Sequence, residues 1–546
     1  MIFLKRFFIA MLGFVASTSL YAQLPAKDTS RHGKMILIIS ADRENFQQID
    51  SVTQVLSLAG KAIVQQDKTI FQADSIALNQ LTNILEAFGN VYINDNDSIH
   101  TYSQYLKYVG KEKKAYLNKK VKLTDGKGVL TTEELVYDEQ TKIGIYYKGG
   151  KVVNGKTTLT STEGYYYGET KDVYFKQNVF LKDSGFTVKT DTLLYNTNTG
   201  ITTIVAPSTI VSGKQTIKTK DGYYDTKNKK AFFNMRPIID DSTYTFTADK
   251  IAVDDKTGLS EYDGNAVYRT KDSVGYDLIA GNIKANRKTN ALLATLKPLL
   301  LIKQTQDTTY ITADTLFTSK LSELLKTKDV PVVRDSVKGK VPIIINKKNP
   351  KDSSADRYFE AYYHVKIFND SLQAVCDSMF YSGEDSVFRL FKNPVTWAQK
   401  NQITGDTMYL FIQNKKPERL YVFENAMSIQ KLTDKYFNQI KGNTINGFFI
   451  NGKIDQLRAK GNAETVYYGV DETNKYLGVN KATCDVIDMY FERKGDGTSP
   501  QKIVLRNNLE GTAYPMRQIN HEELRLRKFK WLDNLRPKSK FDIFSN

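Results

Sequence analysis

The sequence predicts an all-β fold wound from tandem units, and three observations carry that prediction. Tyr (33) and Phe (28) are abundant while Pro (12) and Trp (2) are scarce, a composition that suits half-buried strands better than helices. The chain aligns on itself with a period of roughly 29 residues, inside the range of solenoids. Segments starting near Val55, Ile84, Lys114, Ile143, Asp172, Ile201, Lys230, Leu259 and Ala291 stack almost without gaps, and the pattern resumes near Tyr358 and Val387. Third, a hydrophobic-x-small-Asp-x-hydrophobic motif recurs, as in FQADSIAL (71–78), FTADKIAV (246–253) and ITADTLFT (311–318).

The first element is a targeting segment. Lys5 and Arg6 precede an apolar run from Phe7 to Val15 and small residues ending at Ala22, the layout of a secretory signal over residues 1–22. The run is too short to span a bilayer, and no later segment offers a long uncharged apolar stretch, so the mature chain is expected to be exported and soluble.

Within each unit a short apolar stretch (ILEAF, KAFF) leads to a Gly/Asn punctuation and a strand, as in GNVYIND (89–95), NKKVKLTD (118–125) and QNVFLKD (177–183). Alternation turns Val91, Ile93, Val121, Leu123, Val179 and Leu181 to the inner side, and Leu299 with Leu301 is aligned to the same slots. At the Asp motif the alternation slips by one, since Ile251 follows Ala248 by three residues, and such a slip marks a bulge or corner. Asp74, Asp191, Asp249, Asp314, Asp377 and Asp406 are therefore read as structural corner acids that accept hydrogen bonds from backbone N–H groups exposed by the bend. Asp221 fits the same slot, Glu133 and Glu163 substitute in it, and Gly281 breaks the rule. A row of calcium ligands would need several oxygens within a few residues, whereas this spacing supplies one carboxylate per unit.

Cys376 and Cys484 each precede an Asp of the motif, in the slot that Ala73, Ala248 and Ala313 fill elsewhere, and read as small packed residues rather than a disulfide scaffold. Residues 321–357 break the period with Lys, Asp, Ser and prolines, so they divide an N-terminal repeat block (23–320) from a C-terminal one (358–496) as a linker or insertion. The basic tail, 497–546, holds a segment from about Glu522 to Leu535 that reads as a short helix with Leu524, Phe529, Trp531 and Leu532 on its apolar side, either capping the last unit or docking on a partner.

Lys and Arg outnumber Asp and Glu by 77 to 60. For an exported chain such an excess points to anionic glycolipid, polysaccharide or phospholipid before nucleic acid, with plain solubility as the bland alternative. His32, His100, His364 and His521 are scattered, without HExxH, CxxC, a phosphate loop or a nucleophile elbow. No metal, cofactor or enzymatic activity is expected, although carboxylates assembled from distant units stay open. From the residues alone the inner Val, Ile and Leu positions fit a closed dry core, or walls that part to admit lipid chains.

The export signal, the serial GNV-type strands and the Asp corners together resemble the OstA-like (LptA-type) family of lipopolysaccharide-transport proteins, over roughly Met35 to Lys320 and Tyr358 to Asp496. The resemblance implies an elongated β-jellyroll open along one side, not an enzyme, with an apolar interior that holds the acyl chains of lipid A. Val91, Ile93, Val121, Leu123, Val179, Leu181, Leu299 and Leu301 would line that groove, and Lys and Arg at its edges would meet the lipid phosphates. Implied partners are lipopolysaccharide, an inner-membrane exporter and an outer-membrane insertion barrel, with end-to-end self-association, in the periplasm or at the outer membrane. The competing expectation is a structural or adhesive solenoid that binds polysaccharide or protein through its exterior.

Overall fold

The computed structural model describes residues 36–544 apart from positions 51–52, 80, 274, 304–306, 329–355, 414–415, 472, 474 and 495–496. The signal segment and most of the 321–357 interruption lie outside the described residues. The rest is almost wholly antiparallel β-structure, in two compact units of described residues: those from 36 to 126 with 133–141, and those of 127–132 with 142–544.

In the first unit the chain is a meander of long strands, among them Gln54–Gln66, Thr69–Asn79, Ile84–Asp95, Ile99–Val109 and Lys114–Thr124. Each strand bends in its middle. At Gly89 and Asn90 two consecutive residues take φ of 73° and 44°, and the ladder to the preceding strand jumps from Ser75↔Phe88 to Gln72↔Tyr92. The same left-handed pair recurs at Gly60–Lys61 and Lys119–Lys120. Pairing continues on both sides of it, so the Gly/Asn position is a corner inside one strand and not a break between two. Each bent strand thus has two arms. They face one another: Phe71, before its corner, lies 5.0 Å in ring separation from Tyr108, which follows its own. Leu58, Ile76, Leu85, Leu106 and Leu117, at most 1% exposed, fill the space between. At the turn ends Thr69 and Tyr137 donate to the Asp95 carboxylate and Tyr108 to Glu139.

A side chain at φ near +70° costs about 1–2 kcal/mol, and Lys119 shows that the slot tolerates one. Gly89 is more constrained, because a Cβ there would lie 2.3 Å from Asp74 Oδ2. Gly89→Val should therefore lower stability by about 1–2 kcal/mol in urea unfolding, while Asn90→Gly should change it by only a few tenths of that.

The second unit repeats the device at Gln177–Asn178, Met235–Arg236, Gly264–Asn265, Leu296–Lys297, Tyr363–His364 and Glu424–Asn425. The ladder runs through the interruption, since Thr315–Ser319 pairs directly with Tyr358–Tyr362, and the compact units divide near residues 126–142 rather than at 321–357. Leu299 and Leu301 need a correction of register. The corner pair here is Leu296–Lys297, so Pro298 and Leu300 take the slots of Val91 and Ile93, while Leu299 and Leu301 fall on the opposite face, packed with Phe368 and Ile543. The tail is corrected too: in place of a helix over 522–535 it is an extended segment with turns and a single 3-10 turn, Asp533–Leu535.

One charge cluster escaped the sequence reading. Asp488, fully buried, accepts from Arg458 Nε at 2.5 Å, Arg506 Nε at 3.0 Å and Gln456 at 3.1 Å. Burial pushes its carboxyl up, but the Arg458 and Arg506 bonds outweigh this and hold it below the usual carboxylate range. A carboxyl depressed in the folded state contributes stability at neutral pH that is lost as pH falls through the folded value. The wild-type urea midpoint should accordingly drop between pH 7 and acid more steeply than that of Asp488→Asn.

Candidate functional site

The recurring corner acids are each held by a side chain beside them. Asn90 Nδ2 donates to Asp74 at 3.0 Å, Asn265 and Arg236 both donate to Asp249 at 2.8 Å, and Asn425 donates to Asp406 at 2.8 Å. His364 Nδ1 lies 2.9 Å from Asp314 Oδ2, Lys392 Nζ 3.1 Å from Asp377, and Thr192 donates to Asp191. The carboxylates thus take side chains, mostly from the corner of the next strand, instead of the backbone amides expected. The Asp backbone does the remaining work: the amides of Asp249 and Asp314 donate to the carbonyls of Gly264 and Tyr363 at 2.8 and 3.0 Å. These groups are exposed or half-buried and spread one per corner, so they tie strands together and do not converge on a substrate. Cys376 and Cys484 are free and buried opposite Val365 and Ala463, and burial pushes the Cys376 thiol up to about 12.

Of the inner positions, Val91, Ile93, Val121 and Leu123 are buried in the first unit, and Val179 and Leu181 in the second. Leu181 pairs with Val188, and Val188 belongs to a cavity that none of the eight named residues lines. This cavity, about 430 Å³, lies between the two arms of the second unit, lined by residues from Gly185 to Leu292 and by Arg357. Ile204, Ile210, Ile217, Phe233 and Ile239 make its apolar wall. Phe246 and Tyr262, from opposite arms, stack at 3.5 Å and 6°, and Tyr268 extends the aromatic surface to Tyr244 and Tyr276 at 5.1 and 5.4 Å. Burial drives the Tyr268 hydroxyl far above its ordinary value, so it stays neutral. The Thr202 hydroxyl, in the same wall and 1% exposed, has no hydrogen-bond partner among the described residues.

Toward the turn ends the lining changes character. Phe186 and Tyr224, from opposite arms, meet edge-on at 4.6 Å, and Arg287 pairs with Asp255 at 2.6 Å. Lys229 belongs both to the cavity and to an adjoining depression of about 620 Å³ lined by Lys127, Lys156 and Lys227. Asp183 sits among these lysines. Burial raises its carboxyl, but bonds from Thr157 and Ser184 together with Lys229 hold it below the usual range. The arrangement offers an apolar slot with a cationic rim, which suits an amphipathic anion. Among the described residues no group of three or more His, Cys, Asp or Glu is placed to hold a metal, and no helix is long and apolar enough to cross a membrane.

The sequence profile of the OstA-like protein family matches residues 34–191 and 177–249. Residues 34–249 are thus similar to the OstA-like family. This OstA-like region spans the first unit and the front of the second, so the cavity begins within it and extends beyond its end. The chain is also similar to LptH, the LptA homologous periplasmic component of the conserved lipopolysaccharide transport device from Pseudomonas aeruginosa, at 22% identity over 20% of this chain and 80% of LptH, with a TM-score of 0.18. No curated protein matches the chain.

Proposed function

We propose that this chain is an exported lipopolysaccharide-transport component, a carrier and not an enzyme, working in the periplasm between an inner-membrane exporter and an outer-membrane insertion barrel. The observation that carries the reading is the apolar cavity between the arms of the second unit with lysines at its rim; the OstA-like match supports it. An acyl chain enters past Phe186 and Tyr224 and lies against Phe233, Phe246 and Tyr262, each buried methylene contributing about 0.8 kcal/mol. The Thr202 hydroxyl supplies a donor for an ester or amide carbonyl at the head of the chain. Lys127, Lys156, Lys227 and Lys229 meet the phosphates of the sugar head. The cavity is within the size range of small-ligand sites, about 300–1,000 Å³, so it holds part of a lipid at a time, as passage along a carrier requires.

The test is binding by purified full-length protein of lipopolysaccharide and of its fully deacylated form. The intact lipid should bind and the deacylated form should not. Equal binding of both would move recognition to the sugar and contradict the reading. That outcome would favour the exterior alternative, for which the surface pairs Phe88–Tyr105 and Tyr92–Tyr102, at 5.3 and 5.1 Å, provide aromatic faces.

A further inference from the structure

The tail does not close the end of the array. It runs backwards along it. Leu524 and Leu526 are buried among Ile429, Phe437, Val466 and Val479; Leu532 and Lys530 meet Gln402; Arg536 meets Gln373; and Ile543 is buried on Leu299 and Phe368. The order of contacts is the reverse of the order of strands, so one extended segment crosses most of the C-terminal half of the second unit.

The surface beneath it is a single row. Phe368 pairs with Gln373, Gln373 with Trp397, Trp397 with Gln402, Gln402 with Ile429, and Ile429 with Gln439. Directly paired residues share a face, and this face is opposite the one that carries Ala426 and Ala463 between the arms. The three glutamines are buried (4%, 0% and 2% exposed); Gln402 and Gln439 hold the main chain of the tail, and Gln373 holds the Arg536 side chain. Gln439 Oε1 accepts from the Leu526 amide at 2.8 Å. Gln402 accepts from the Leu532 amide and donates to the Lys530 carbonyl, both at 2.7 Å. Gln373 Oε1 accepts from Arg536 Nη2 at 2.7 Å. Apolar residues between the glutamines complete the row, with Phe437 touching Phe529 and Trp531 at 5.2 and 5.7 Å. Side-chain amides that satisfy main-chain groups recognise an extended peptide and not a folded surface.

We propose that residues 516–544 are a detachable strap, the intramolecular ligand of a peptide-docking row on the outer side of the sheet. Its seating holds the C-terminal strands of the second unit against opening, and its end at Leu299 leaves the cavity strands up to Tyr244–Thr247 unstrapped. The proposal stands on the row and the tail alone, whatever ligand the cavity takes.

The test uses full-length protein with tail-side changes, Leu526→Asp with Ile543→Asp, which remove the strap's anchors without touching the strands beneath. Hydrogen exchange of strands Val395–Ala398 and Phe437–Ile450 should lose at least about tenfold protection, while Ser208–Ser212 keeps its own. A synthetic peptide of residues 516–544 should bind the doubly substituted protein, bind wild type far less, and restore the lost protection. Unchanged exchange in the variant, loss spread equally to Ser208–Ser212, or failure of the peptide to bind the variant would each overturn the proposal.

Discussion

Replacing Asp385 by Ala will destabilise the second unit by about 3–5 kcal/mol. Arg389 is 2% exposed and its counter-ion Asp385 7%, in a bidentate pair with both guanidinium nitrogens engaged. Its strand neighbours Phe380 and Tyr409 flank the guanidinium at 5.5 and 5.4 Å, so little water can reach it once the carboxylate is gone. The Val387 carbonyl, 3.2 Å from Nη1, also accepts a hydrogen bond from it. Changing both residues, Asp385→Ala with Arg389→Leu, removes the charge as well as its partner and should recover most of the loss. Urea unfolding of the single and double variants decides it: a single variant within about 1 kcal/mol of wild type would mean that the pair behaves as a solvated one.

Filling the cavity will cut lipid affinity by about fifty-fold while leaving the fold intact. Ala231 pairs with Tyr224 and Val253 and contributes its methyl to the cavity wall. Ala231→Phe places a ring where an acyl chain would lie; displacing three methylenes at about 0.8 kcal/mol each removes roughly 2.4 kcal/mol, or about fifty-fold in Kd. The same change fills empty space, so unfolding stability should stay level or rise slightly. Titration of lipopolysaccharide into both proteins tests this, and unaltered affinity in a folded variant would show that the lipid lies elsewhere.

The legibility of the fold followed its local signals. The 29-residue period and the slip at the Asp motif are short-range features, and the structure places a bend at each of them. The alternation also turned Val91, Val121 and Val179 to the buried side, because a Gly, Lys or Gln followed by Asn or Lys marks those corners clearly. At Leu296–Lys297 the same left-handed pair opens with a leucine, which rarely adopts it, so nothing in PLLLI announces the corner and Leu299 reads as belonging to the wrong face. The tail shows a different limit. Leu524 and Leu526 alternate as an extended segment would, yet what holds them is an apolar cluster and Gln439 from distant strands, and register across strands cannot be read from one chain's composition. The cavity is harder still, since its Ile and Phe residues are of the same kind as those of the packed first unit. The one distinguishing signal is the concentration of tyrosines at 224, 244, 262, 268 and 276, rings with polar tips that border a space instead of closing it.

The central claim is that a lipid chain lies between the two arms of the second unit. Its most direct test is a photo-crosslinking amino acid placed in living cells at Ile210, which faces the cavity, and separately at Thr209, its neighbour on the other face. The account predicts a lipopolysaccharide adduct at position 210 and none at 209; adducts at 209 alone, or equal yields at both, would contradict it.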